Sequence, residues 1–103
     1  MIRDPHAIPT DARAVLTINL AALRANWSEL NRVSGRAECA GVIKANAYGL
    51  GLRQIAEALT DGGCRTFFVA TLAEARIVRE TLEKIDPQYP APKGWDPKTV
   101  KVV

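Results

Sequence analysis

One lysine stands at the point where an apolar run meets a turn that contains two glycines. Residues 42–51 read V-I-K-A-N-A-Y-G-L-G, and Lys44 directly follows the apolar pair. A lysine amine forms Schiff bases with carbonyl compounds when it is neutral, and partial burial favours the neutral amine. The small residues after Lys44 leave room for a planar ring, and Tyr48 places a phenol within reach of a ligand held there. The segment therefore predicts a covalent binding site for a carbonyl compound.

The same residues also have an ordinary interpretation. Lysines at strand ends are usually solvated surface residues, and a tyrosine such as Tyr48 often serves as a half-buried packing residue. Gly49 and Gly51 are common turn residues. Composition and spacing alone leave both interpretations open.

The elements that must position Lys44 alternate between strand and helix. Strands are predicted from β-favouring or apolar runs at 14–18, 38–44 and 67–70. Helices are predicted after them, from Asn19 to about Gly35, over 52–59, and from Thr71 to about Leu82. This alternation indicates an α/β fold with a parallel sheet, either a barrel or an open doubly wound sheet. Ligands gather at the carboxyl ends of strands in such folds, and Lys44 lies at one of these ends.

Local signals mark the starts of two helices and the environment of one strand. Asn19 can cap the first helix, whose apolar stripe consists of Leu20, Leu23, Trp27 and Leu30. Thr71 and Glu74 have the spacing of a capping box at the start of the third helix. The run F-F-V-A at 67–70 is apolar at every position, which predicts a strand covered on both faces.

The two ends of the chain interrupt the alternating pattern. Residues 1–12 are predicted to be an irregular lead-in, because Pro5 and Pro9 oppose regular structure. Residues 13–85 carry the α/β pattern. Residues 86–103 contain four of the six prolines and are predicted to be a proline-rich tail that cannot be helical. Within that tail, 100–103 could make a short edge strand.

The composition excludes several classes of protein. The chain has 103 residues, 48% of them hydrophobic, which suits one globular unit but is too short for a complete barrel of about 250 residues. A net charge of +3 without a run of Lys or Arg argues against nucleic-acid binding. The chain has no long apolar run and no signal peptide, so a membrane protein is not expected.

The cysteines indicate a compartment rather than a metal site. Cys39 and Cys64 lack the spacing of metal ligands, and the one histidine, His6, lies in a proline-flanked segment. We therefore expect no metal. Both cysteines are predicted to be free thiols in a reducing cytoplasm.

Three blocks of the sequence resemble the alanine racemase family. V-I-K-A-N-A-Y-G-L-G resembles the family's pyridoxal-phosphate attachment motif. V-L-T-I-N-L-A-A-L-R-A-N-W is similar to its opening segment, and F-F-V-A-T-L-A-E-A-R-I-V-R to its next strand and helix. The blocks occur in the family's order with similar separations, and together they cover roughly residues 14–82.

The resemblance implies a fold and a chemistry. Residues 13–85 would form about the first three β/α units of a (β/α)8 barrel, which family members follow with a C-terminal β domain and assemble into homodimers. Lys44 would carry the internal aldimine with pyridoxal phosphate and act as one of two acid/base groups at the substrate Cα. Tyr48 matches a tyrosine that contacts the cofactor phosphate. The implied activity is the interconversion of L- and D-alanine, which supplies D-alanine for peptidoglycan.

The chain departs from the family pattern in two respects. Leu50 stands where many relatives have histidine, a position that is not the catalytic lysine. The family's second base is a tyrosine from the partner's C-terminal domain, and Tyr89, in the proline-rich tail, does not match it. We therefore expect a truncated chain that is inactive alone. The alternatives are a non-catalytic fragment that binds pyridoxal phosphate or another chain, a nonfunctional remnant, and a racemase of another amino acid.

Overall fold

The computed structural model describes residues 10–84 and 101–103 as an α/β structure. Its elements in chain order are α1 (Leu20–Val33), β1 (Gly41–Val42), α2 (Lys44–Tyr48), α3 (Leu52–Asp61), β2 (Thr66–Phe68), α4 (Leu72–Glu83) and β3 (Lys101–Val102). The predicted α/β class is confirmed. Residues 1–9 of the predicted lead-in and 86–100 of the predicted tail lie outside the described residues.

The starts of α1 and α4 form as their local signals predict. The Asn19 side chain accepts a hydrogen bond of 3.0 Å from the Ala22 backbone N–H, which satisfies one donor of the first turn. At the start of α4, Thr71 and Glu74 make both bonds of the capping box. On α1, the first three residues of the predicted stripe pack against the core, whereas Leu30 is exposed.

The sheet is parallel and has the strand order β1-β2-β3. Val42 of β1 lies beside Phe68, and Phe67 of β2 lies beside Val102. Residues 101–102 therefore join the sheet as an edge strand, within the segment 100–103 where the sequence allows one. The Val103 backbone N–H extends this pairing, since it donates to the Phe67 carbonyl over 2.6 Å.

The hydrophobic core lies on one face of this sheet. α3 contacts both α1 and α4. The core is formed by residues of α3 and α4 together with the inward residues of the strands and the segments beside them. Its buried members are Ile43, Ala47, Leu52, Ile55, Ala56, Leu59, Cys64, Phe67, Val78 and Leu82. Phe67 is fully buried, but its neighbour Phe68 is 43% exposed and Val42 is 50% exposed. The prediction that 67–70 is covered on both faces is therefore wrong. Among the described residues the helices cover one face, and we call the other, marked by Val42 and Phe68, the open face.

Two strand predictions also need correction. Residues 14–18 form no strand: they pair with none of the described strands, and Val15 and Leu16 are exposed. A β-favouring run becomes a strand only when a partner satisfies its backbone groups. The predicted strand at 38–44 is confined to Gly41–Val42, because Lys44 already belongs to α2.

Three further predictions concern thiols, metals and membranes. Both cysteines are free, with Cys39 half-buried and Cys64 buried. Within 10–84 and 101–103, no cluster of three or more His, Cys, Asp or Glu side chains could hold a metal ion. None of the described helices is long and apolar enough to cross a membrane.

Candidate functional site

Lys44 lies just beyond the carboxyl end of β1, and its side chain is exposed. Burial alternates along this segment: Gly41 and Ile43 are buried, whereas Val42 and Lys44 are exposed. Lys44 is thus an exposed residue two positions beyond the last residue of β1. No described hydrogen bond or ion pair engages the Lys44 amine. The amine is thus available to an incoming carbonyl group, but the described residues do not provide the partial burial expected from the sequence.

The turn that follows Lys44 is left-handed. Ala45, Asn46 and Ala47 have φ angles of 53°, 55° and 55° with ψ angles near the same values, and Tyr48 has a φ of 56°. Glycine adopts this conformation freely and asparagine does so at times, but other residues rarely do, because their Cβ approaches the following carbonyl oxygen. The four residues that follow the candidate lysine therefore all adopt a backbone conformation that side chains generally disfavour.

Asn46 connects the left-handed turn to the start of α3. Its side-chain oxygen Oδ1 accepts a 2.8 Å hydrogen bond from the Leu52 backbone N–H, one of the unpaired donors of the first turn of α3. Its own carbonyl oxygen accepts from the backbone N–H groups of Gly49 and Gly51, both at 3.1 Å. Asn46 thereby fixes both the turn and the direction in which the chain enters α3.

Glu74 connects the same turn to the neighbouring strand. Its Oε2 accepts a 3.2 Å hydrogen bond from the Asn46 backbone N–H, across 28 residues of chain. Its Oε1 accepts from the backbone N–H groups of Ala70 and Thr71, at 3.1 and 3.2 Å. The pKa of Glu74 is lowered, first by the bond from Asn46 and then by those from Ala70 and Thr71. The carboxylate thus bridges the segments that follow β1 and β2.

The structure brings the two predicted site residues to the two ends of one turn. Lys44 begins α2 and Tyr48 ends it, and both side chains are exposed, Tyr48 by 62%. No described hydrogen bond joins them. The role of Lys44 in covalent binding and that of Tyr48 at a phosphate remain predictions.

Sequence reasoning missed two residues of this site. Asn46 stands out only as the one polar residue between two alanines, and its tolerance of the left-handed conformation is the signal that could have marked it. Glu74 was predicted solely as a capping-box residue. Its second contact, with Asn46, depends on how two parallel strands align and leaves no local trace in the sequence.

Comparison with known proteins gives consistent matches. The family model described as alanine racemase, N-terminal domain, matches residues 18–92. An alanine racemase of Methylobacterium nodulans is 59% identical over 69 residues, which cover 67% of this chain and 19% of that protein. A catabolic alanine racemase of Mesorhizobium japonicum is 51% identical over 71 residues, or 69% of this chain and 19% of that protein.

A solved structure is also similar. The crystal structure of alanine racemase from Bartonella henselae with covalently bound pyridoxal phosphate matches with a TM-score of 0.60 and 47% identity, over 62% of this chain and 19% of that chain. The present chain therefore spans about a fifth of the length of the relatives that it matches.

Proposed function

The chain belongs to the family of the alanine racemase N-terminal domain, and from that premise we propose that it is the cofactor-attachment segment of a pyridoxal-phosphate-dependent alanine racemase. In this proposal Lys44 holds the cofactor and moves a proton at the substrate Cα. Tyr48 contacts the cofactor phosphate. The substrate class is a small amino acid, with alanine favoured because the relatives at 59% and 51% identity are alanine racemases.

The observation that carries the proposal is the setting of Lys44. Its exposed amine, free of described partners, follows β1 at the carboxyl end of a parallel sheet. This is the edge at which α/β folds collect their ligands. The adjoining turn is fixed at Asn46 by neighbouring segments, so the lysine backbone is held in a defined position. An accessible lysine amine at this edge, on a fixed backbone, is the group that the aldehyde of pyridoxal phosphate requires, and this supports the proposal.

The chemistry divides between cofactor and protein. When bound, pyridoxal phosphate withdraws electron density from the substrate Cα and so makes loss of its proton easier. Lys44 would be the group that takes or returns that proton on one face of the substrate. The Tyr48 hydroxyl, exposed at the far end of the turn, is a hydrogen-bond donor suited to a phosphate oxygen.

Racemisation needs an acid/base group on each face of Cα, and the chain offers a candidate for one of them. We propose that the second comes from a partner subunit of a homodimer, and that the isolated chain does not turn over substrate. Residues 13–85 would be the start of a (β/α)8 barrel, preceded by a lead-in at 1–12 and followed by a tail at 86–103. The free thiols favour a cytoplasmic location.

Absorbance spectroscopy of the purified chain mixed with pyridoxal phosphate tests this proposal. The wild type is expected to develop the visible band of a lysine adduct, and Lys44→Ala to lose it. Lys84→Ala is the matched control, since it removes an exposed lysine from the end of α4. Equal bands in all three proteins would contradict the assignment of Lys44.

The open face favours one alternative function. Val42 and Phe68 are 50% and 43% exposed beside each other on the sheet. A chain that buries this face against another polypeptide would be a binding fragment without turnover. A larger sedimentation coefficient after mixing with a full-length racemase, without D-alanine formation by the chain itself, would favour this alternative.

A further inference from the structure

The left-handed turn after Lys44 requires support from outside itself. Placing a residue other than glycine in this conformation costs about 1–2 kcal/mol. Ala45, Ala47 and Tyr48 all carry that cost, and Asn46 carries a smaller one. Strained segments of this kind persist when the surrounding structure over-determines them. The question is which contact holds the turn in place.

The Asn46 backbone N–H is bonded outside the turn, unlike the N–H groups of Ala47 and Gly49. The Ala47 N–H donates to the Ile43 carbonyl over 2.9 Å, and the Gly49 N–H donates to Ala45 over 3.0 Å. The Asn46 N–H makes no such bond within the turn; its acceptor is the Glu74 carboxylate, at 3.2 Å. Asn46 Oδ1 already ties the turn to α3 through the Leu52 N–H. Glu74 adds the described hydrogen bond that ties the backbone of the turn to the segment after β2.

Glu74 is itself held at a defined position. Its Oε1 receives the Ala70 and Thr71 backbone N–H groups and lies 3.3 Å from the Thr71 hydroxyl. Its backbone N–H donates to that same hydroxyl over 3.1 Å. One carboxylate oxygen thus belongs to the cap of α4, and the other faces the turn that bears Lys44. The two oxygens have separable functions.

We infer that Glu74 is a positioning residue for Lys44: through the Asn46 backbone N–H it holds the left-handed turn, and with it the lysine, at the carboxyl edge of the sheet. The inference rests on the proposed function for its relevance to pyridoxal phosphate. The contact itself is independent of that function. When this hydrogen bond is lost, the turn becomes more mobile and the Lys44 amine samples more positions.

Glu74→Gln separates the two functions of the carboxylate. Glutamine also serves in capping boxes, so the cap of α4 is retained. The glutamine amide has only one oxygen. When that oxygen accepts the bonds of the cap, the NH2 group faces the Asn46 N–H, and two donors cannot form a hydrogen bond with each other. Glu80→Gln is the charge-matched control, because it neutralises an exposed carboxylate of the same helix. Glu74→Asp, one methylene shorter, is the second variant should Glu74→Gln fail to fold.

Amide hydrogen exchange of the full 103-residue chain measures the contact directly. We expect the Asn46 N–H to exchange on the order of tenfold faster in Glu74→Gln, the effect of losing a bond to a charged acceptor. Glu80→Gln is expected to match the wild type. Thr71→Ala, which removes the cap hydroxyl, should loosen the first turn of α4 more than Asn46. The inference would be overturned if the exchange rate of the Asn46 N–H were unchanged in Glu74→Gln. It would also be overturned if Thr71→Ala raised that rate as much as Glu74→Gln does.

The second readout is the site of labelling by pyridoxal phosphate, trapped with borohydride. In the wild type the ratio of label on Lys44 to label on Lys84 reports the setting of Lys44 rather than global folding. Glu74→Gln is expected to lower this ratio severalfold at equal helical content, and Glu80→Gln to leave it unchanged. A ratio unaffected by Glu74→Gln would refute the positioning role. Absence of label on Lys44 in the wild type would instead refute the proposed function, while exchange at Asn46 still tests the contact.

Discussion

Substitution of Asn46 tests whether the left-handed turn is held as the structure indicates. Asn46→Ala removes the Oδ1 acceptor that lies 2.8 Å from the Leu52 N–H, a loss of about 1 kcal/mol. It also places an alanine at φ 55°, which costs about 1–2 kcal/mol that asparagine largely avoids. The free energy of unfolding should therefore fall by about 2–3 kcal/mol.

Asn46→Gly divides that loss into its two parts. Glycine also lacks the acceptor for Leu52, but it accepts the left-handed conformation without steric cost. Its expected loss is about 1 kcal/mol, roughly that of the hydrogen bond alone. Urea unfolding followed by far-ultraviolet circular dichroism, with equal slopes for all variants, gives both values. If the alanine and glycine variants were equally destabilised, the turn would carry no conformational cost and the reasoning would fail.

Three further predictions concern the core, a thiol and the carboxylate of the site. Phe67→Ala should lower the free energy of unfolding by about 3–5 kcal/mol because Phe67 is fully buried, whereas Phe68→Ala on the open face should cost markedly less; urea unfolding compares them. Burial raises the pKa of Cys64 to about 11, which keeps its thiol protonated near neutral pH. Iodoacetamide should therefore modify half-buried Cys39 first and buried Cys64 only after unfolding. Equal modification rates of the two thiols in the folded chain would contradict this. Because the pKa of Glu74 is lowered in the folded chain, its carboxylate stabilises the fold above the ordinary carboxyl pKa of 4.5, and this stabilisation is lost as the pH falls through the folded value. The difference in urea midpoint between wild type and Glu74→Gln should therefore shrink on acidification. A difference that stayed constant with pH would refute the charge dependence.

Features with local causes could be predicted from the sequence. The Asn19 cap and the Thr71–Glu74 capping box depend on groups within a few residues of each other, so their spacing is sufficient. The parallel sheet follows from the alternation of strands and helices. The position of Lys44 at a strand end likewise follows from the apolar run before it.

Features that depend on distant partners could not be predicted. The run at 14–18 has strand-forming residues but pairs with no described strand, and nothing within the run reveals this. The exposure of Phe68 depends on which face the helices cover. The left-handed turn after Lys44 is accompanied by contacts of Asn46 with Leu52 and Glu74, the latter 28 residues away. Periodicity and composition carry no information about such contacts.

The central claim is that Lys44 is the residue that holds pyridoxal phosphate. Peptide mapping by mass spectrometry, after the chain is mixed with the cofactor and reduced with borohydride, tests it most directly. We predict one dominant pyridoxyl adduct, on the peptide that contains Lys44, which is absent in Lys44→Ala and kept in Lys84→Ala. Adducts spread evenly over the exposed lysines, unchanged by Lys44→Ala, would contradict the claim.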